Sequence, residues 1–191
     1  APFAMSVSFW ASVATDPGAS GDELESRALA IVQAVRRAVR MQVAVKLSPF
    51  YTSLANFALR LRQAGADALV LFNRFFEPDL DLEQLQVTTS MELSDSRELR
   101  LRLRWLALLS GRSDGGLAVS GGVHTVRDAV KAILCGADVV QVFDYGIQGD
   151  TMHKIIANGG TEMGVEVDRP GMQAKKRRSL GIIPDAELAP F

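Results

Sequence analysis

A lysine stands in the middle of a run that otherwise reads as a buried strand, VAVKLSPF at residues 43–50. Strand alternation puts Val43, Val45 and Leu47 on one face and Ala44, Lys46 and Ser48 on the other. An unpaired buried ammonium is costly, so Lys46 either snorkels to solvent or meets an anion at the end of the strand. Further along, SGGVHT places Ser120, Gly121 and Gly122 directly before a helix start. Paired glycines reach positive φ, expose backbone N–H groups and lead into a helix N-terminus that favours an anion, so the motif reads as a phosphate cradle or as a tight strand-to-helix turn. Asn73 ends the apolar run ALVLFN and Asp144 ends DVVQVFD. Asn73 is also a residue type that closes turns on its own backbone. His124 reads as a loop histidine, with no second ligand or base partner visible, and no metal set is expected. Cys135, in AILCGAD, reads as a buried structural thiol at a helix end.

These residues need elements to hold them. Leu24, Ala28, Ile31, Val32 and Val35 recur at helical spacing in GDELESRALAIVQAVRRAV, after the loop TDPGAS. The lysine strand follows, and then Thr52 or Ser53 caps a second helix that runs through Leu61 and ends at Gly65. ALVLFN is the next strand, and a long polar connection extends from Arg74 to Ser96. Leu99, Leu103, Leu106 and Leu109 mark a third helix, GLAVSGG a short strand, and Thr125 caps VRDAVKAILCG with Asp128 at the capping-box position. DVVQVF closes the series.

The 191 residues, 48% apolar and 23% charged, suffice for a single domain with one sizeable core, with residues 159–191 expected as an irregular C-terminal extension. Twenty-one basic and 22 acidic side chains nearly cancel and are interspersed, which argues against nucleic acid or an anionic membrane as the main partner. The KKRR run at Lys175 to Arg178 reads as a solvated patch. One cysteine excludes an internal disulfide, no apolar run approaches the ~18 residues that span a bilayer, and no signal-peptide pattern opens the chain, so a cytoplasmic setting is expected.

The two halves of the strand–helix series resemble each other. Gly65-Ala66-Asp67 with Phe72 and Asn73 is matched by Gly136-Ala137-Asp138 with Phe143 and Asp144. Repeated strand–helix units with continuous apolar strands predict an α/β fold of parallel (β/α) TIM-barrel type, here a partial barrel of four to five strands, with an open doubly wound sheet as the other architecture. In either, ligands gather at the carboxyl ends of strands, where the polar residues named above fall. A sheet cut from a barrel leaves unpaired edges, so a homo-oligomer or a complementary half-barrel is an expected partner.

The runs VAVKLSPF, AGADALVLFNRF, SGGVHTVRDAVKAILCGADVVQV and ATDPGASG resemble the dihydroorotate dehydrogenase family, most closely its dihydroorotate dehydrogenase-like branch, from about Val13 to Val142. The resemblance implies an eight-stranded barrel that binds FMN, of which this chain corresponds to the C-terminal portion, and an oxidoreductase of pyrimidine metabolism acting on the CH–CH bond of a dihydropyrimidine-like substrate. By position, Lys46 matches a lysine beside the flavin pyrimidine edge and Asn73 an asparagine that holds the substrate. Ser120, Gly121 and Gly122 match the loop that takes the FMN phosphate. Two positions depart from the pattern. Asp144 stands where the family has a small or hydroxyl residue near the phosphate, and would repel it. The catalytic base, a serine or cysteine in the family, has Ser12 as its nearest counterpart in MSVSFWASVATDP, and impaired activity is expected because the N-terminal half-barrel is missing.

Two other functions fit the same residues. One is a phosphate-binding barrel lyase with Lys46 as a Schiff-base nucleophile. The other is a non-catalytic half-barrel that serves as an assembly module.

Overall fold

A computed structural model describes residues 5–9, 16–73, 78–88, 94–112 and 114–141. The elements in chain order are β1 (Met5–Ser8), α1 (Gly21–Ala38), β2 (Val43–Leu47), α2 (Leu54–Gln63), β3 (Ala68–Leu71), β4 (Asp79–Asp81), β5 (Gln86–Thr88), α3 (Leu99–Leu109), β6 (Gly116–Ser120), α4 (Val126–Leu134) and β7 (Val139–Gln141). Five strands form one parallel sheet in the order β1-β2-β3-β6-β7, so neighbours in space are neighbours in sequence. Right-handed crossovers in an unreversed order put every helix on the same face. That is an arc of a (β/α) barrel, not a doubly wound sheet, whose strand order would reverse.

The register separates two faces. Val43, Val45 and Leu47 of β2, Leu69 and Leu71 of β3, Leu117 and Val119 of β6 and Val140 of β7 pack against Ala28, Val32, Leu54, Phe57, Leu61, Leu99, Leu106 and Ala132. The other face carries Ser8, Lys46, Val70, Ala118 and Val139 in one line across the sheet, since these are successive register partners. The apolar, helix-backed side stabilises the arc, and the inner side is mixed, with Ser8 and Lys46 polar among Val70, Ala118 and Val139.

Helix starts follow from their caps. Ser20 and Glu23 form a capping box at α1, with Asp22 and Glu23 in the first turn and Arg36 and Arg37 in the last, as the helix dipole favours. Thr125 and Asp128 form the expected box at α4. At α2, Ser53 occupies the cap position without a side-chain capping hydrogen bond; its carbonyl instead accepts from the Phe57 N–H at 2.9 Å. Arg60 fastens α2 to α1 through Glu25 at 2.5 Å.

Three expectations change. Ile31 is 48% exposed, because the stripe of α1 that meets the sheet is narrow and centres on Ala28 and Val32. The connection after β3 is not uniformly polar loop: β4 and β5 pair antiparallel, Leu80 opposite Val87, as a hairpin whose apolar side chains are exposed. Cys135 is half-buried rather than buried, because it is the C-cap of α4 and sits at the helix surface.

The Gly-Ala-Asp repeat has a structural meaning at the amino ends of the strands. The Ala66 N–H closes α2 on the Leu61 carbonyl and the Ala137 N–H closes α4 on the Ala132 carbonyl, each at 3.0 Å. Asp67 Oδ2 then accepts the Val43 N–H and Asp138 Oδ2 the Leu117 N–H, both at 2.8 Å, while the Asp67 and Asp138 N–H groups donate back to Val43 and Leu117 carbonyls. Each aspartate thus reads both backbone groups of one residue on the preceding strand. Among the described residues no helix is long and apolar enough to cross a membrane. The KKRR run and the 159–191 extension lie outside the described residues.

Candidate functional site

Lys46 lies on the inner face, one residue before the carboxyl end of β2, and is half-buried. Burial, and after it the Arg102 guanidinium, push its ammonium below the ordinary lysine range. The ammonium is thus held where burial and a neighbouring cation both penalise its charge. Two strands across, about 10 Å by strand spacing, β6 ends in Ser120, which is 3% exposed. Gly121 and Gly122 follow with φ of +79° and +75°.

The glycine turn is braced from behind. Arg102 of α3 donates from Nε to the Ser120 carbonyl at 2.6 Å and from Nη1 to the Glu98 carbonyl at 2.8 Å, and Glu98 Oε2 lies 3.5 Å from Nη2. The Gly122 N–H donates to Ser94 Oγ at 3.1 Å, and the same oxygen lies 3.2 Å from His124 Nε2. One of the cradle's N–H groups is therefore already engaged. Past the turn, Asp128 Oδ2 accepts from Ser96 Oγ at 2.7 Å, from Thr125 Oγ1 at 2.9 Å, and from the N–H groups of Thr125 and His124 at 3.1 and 3.4 Å. Burial works to raise the Asp128 carboxyl, but bonds from Ser96, Thr125 and His124, with Lys131, outweigh it and hold it below the usual carboxylate range. The first turn of α4 thus carries its own anion, and any ligand anion must sit at the glycines, upstream of it.

Asn73 extends the ladder beyond β3, its N–H donating to the Leu47 carbonyl at 2.6 Å. Its Nδ2 reaches over β2 to the Phe9 carbonyl at 3.2 Å. The carboxamide is thereby fixed at the carboxyl rim by a cross-strand bond, not by a turn on its own backbone. Ser48, 7% exposed, accepts the Phe50 N–H at 3.2 Å and shapes the loop after β2.

The structure thus gathers Lys46, Asn73, Ser120, Gly121 and Gly122 at one end of one sheet. Ser12 and Asp144 lie outside the described residues. Sequence reasoning missed Ser94 as the partner of His124, and it missed Arg102. The second had a signal: Leu99, Arg102, Leu106 and Leu109 share one helical stripe, and all four are buried. Among the described residues no cluster of three or more His, Cys, Asp or Glu side chains is placed to hold a metal ion.

No family model matches the chain. The catalytic subunit of dihydroorotate dehydrogenase B (NAD(+)) from Porphyromonas gingivalis is 31% identical over 137 residues, which is 69% of this chain and 44% of that one. The subunit of the same name from Pelobacter propionicus is 32% identical over 133 residues, 67% of this chain and 40% of its own. That from Desulforudis audaxviator is 34% identical over 118 residues, 59% and 38% respectively. Among solved structures, the DHODH of Eimeria tenella in complex with ferulenol has a TM-score of 0.46 and 19% identity, covering 73% of this chain and 44% of its own. The chain spans less than half the length of the curated relatives it matches. Over that shared stretch, the chain is related to the dihydroorotate dehydrogenase family.

Proposed function

We infer that the chain supplies the lysine and glycine-turn side of an FMN site in an oxidoreductase of dihydroorotate dehydrogenase type, acting on the CH–CH bond of a dihydropyrimidine-like substrate. The observation that carries this reading is a half-buried Lys46 with a depressed ammonium, facing the same carboxyl rim as two left-handed glycines. The residues fit the group in charge and shape. Ser120, Gly121 and Gly122 would take the phosphate, which would compete with Ser94 for the Gly122 N–H. Lys46 would stand at the pyrimidine edge and Asn73 at the substrate. FMN, when bound, would supply the hydride acceptor. The Lys46 ammonium, in its partly desolvated setting, would stabilise negative charge at the flavin pyrimidine edge. Proton removal from the substrate needs a positioned base. Ser12 is the residue proposed for it, and impaired turnover is expected where the rest of the barrel is not provided.

Titration of FMN into the full chain, read by quenching of flavin fluorescence, tests the proposal. Saturable binding with a flavin absorption spectrum supports it; folded protein that leaves FMN unquenched overturns it.

Burial of Lys46 also favours a second reading, a Schiff-base lyase, since a depressed lysine is a better nucleophile at neutral pH. Borohydride trapping of a phosphorylated carbonyl compound on Lys46 would establish it in place of the first. In the flavin reading β1 and β7, each hydrogen-bonded to one neighbour among the described residues, are completed by a second copy or a complementary half-barrel in the cytoplasm. Light scattering that shows a cooperatively melting monomer would oppose this assembly.

A further inference from the structure

Arg102 occupies a position in the buried stripe of α3 that a leucine or methionine would fill without the cost of desolvating a charge. Its side chain is only 8% exposed. Its Nε bond goes to the last residue of β6, where the glycine turn begins, and its Nη1 bond to the Glu98 carbonyl at the start of its own helix. The Ser120 carbonyl accepts both from Arg102 Nε, at 2.6 Å, and from the Phe72 N–H of the β3 side, at 3.4 Å. In a planar trans peptide the C=O and N–H point in opposite directions, so the Gly121 N–H is turned away from the guanidinium and from β3. Gly121 rides directly on the cation: a Cβ at this position would lie 2.9 Å from Arg102 Nη2.

We propose that Arg102 is a positioning residue for the phosphate end of the site: it sets the orientation of the Ser120–Gly121 peptide and puts a fixed positive charge behind Gly121, so that the turn takes a phosphate monoester dianion in preference to a neutral ligand of the same shape. The Glu98 carboxylate, 3.5 Å from Nη2 and 41% exposed, offsets that charge from the solvent side. The field of Arg102 reaches the inner face, since it acts on Lys46 after burial does. The choice of FMN as probe rests on the function proposed above; the role of Arg102 does not depend on the isoalloxazine ring.

The test compares FMN with riboflavin, which lacks the phosphate, by fluorescence quenching on the full chain. Arg102→Met should weaken FMN by about tenfold or more and leave riboflavin within about twofold. Arg102→Lys should fall between, because it keeps the charge and loses the fork. Glu98→Gln, an exposed change, should tighten FMN about twofold at low salt, with the gain lost as salt is added. Equal loss of both flavins in Arg102→Met would reduce Arg102 to a scaffold role and overturn the proposal. If neither Arg102 variant folds, unchanged FMN affinity in Glu98→Gln overturns it. If the unaltered chain binds neither flavin, the flavin reading falls, and phosphorus NMR with inorganic phosphate decides: binding that Arg102→Met abolishes supports the positioning role, and no binding to the unaltered chain refutes it.

Discussion

Gly121 and Gly122 are adjacent and share the left-handed region, yet they should respond differently to a methyl group. At Gly122 a Cβ would lie 2.6 Å from the backbone nitrogen of Leu99 and 2.9 Å from its Cα, so it strikes the first turn of α3, which cannot rotate aside. At Gly121 the obstacle is the end of a side chain, Arg102 Nη2 at 2.9 Å, which yields by lengthening its bonds to the Ser120 and Glu98 carbonyls rather than by moving a helix backbone. Both alanines pay about 1–2 kcal/mol for the backbone conformation. Gly122→Ala adds about 1–3 kcal/mol of overpacking, for a total of about 2–5, whereas Gly121→Ala should stay near the backbone cost of about 1–2. In urea unfolding followed by circular dichroism, a gap of at least ~1 kcal/mol corresponds to about 0.5 M between the two midpoints. Gly122→Ala should be the less stable protein. Equal midpoints, or a Gly122→Ala variant as stable as the unaltered chain, would refute the packing argument and return both glycines to a purely ligand-driven explanation.

Lys46→Met should lower the reduction potential of bound FMN by more than it weakens binding of the oxidised form, because the ammonium matters mainly once negative charge has developed; an unchanged potential on folded, FMN-loaded protein would make Lys46 a snorkelling lysine. Asp128→Ala removes the capping box of α4 together with the Ser96 bond and should cost about 2–3 kcal/mol at neutral pH. The sign with pH follows from a native carboxyl held below its unfolded value. Its contribution is complete above about pH 4 and is lost as pH falls through the native value. The stability gap between the two proteins should therefore close on acidification, and a gap that widens there would contradict the assignment. Asp67→Ala and Asp138→Ala should each destabilise by about 1–3 kcal/mol through the loss of a charge-assisted bond to a strand N–H, and midpoints unmoved in both would show that the repeat does not hold the strands.

The elements with strong periodicity were legible. β2 alternates as expected, with Val43, Val45 and Leu47 fully buried and Lys46 on the opposite face, and α4 begins where its capping box placed it. The β4–β5 hairpin was not legible for a physical reason. Its strands are three residues each, its apolar residues are exposed, and its turn uses Leu85 at φ +51° where a glycine or asparagine would have signalled it. Arg102 was hidden by its neighbours: RLRLR reads as a solvated face, and only the helical phase with Leu99 and Leu106 distinguishes it from Arg100 and Arg104. The bond from Gly122 to Ser94 joins residues 28 apart in the chain, and that from Asn73 to Phe9 joins residues 64 apart. Such tertiary contacts leave no trace in local spacing, so Ser94 at the rim and the Phe9 partner of Asn73 emerge only from the folded sheet, although the strand-end place of Asn73 was legible.

The paired aspartates at the opposite rim bear on how such a fold is put together. Asp67 reaches back 24 residues and Asp138 reaches back 21, each to the strand that opened its own β–α–β unit. Alignment of β2 with β3 and of β6 with β7 thus has a contact inside each unit, over a loop short enough for closure to be cheap. A slip by one residue would detach the carboxylate and turn every side chain of the strand to the wrong face. The two aspartates therefore set the levels of β2 against β3 and of β6 against β7, the strands that carry the lysine and glycine rims.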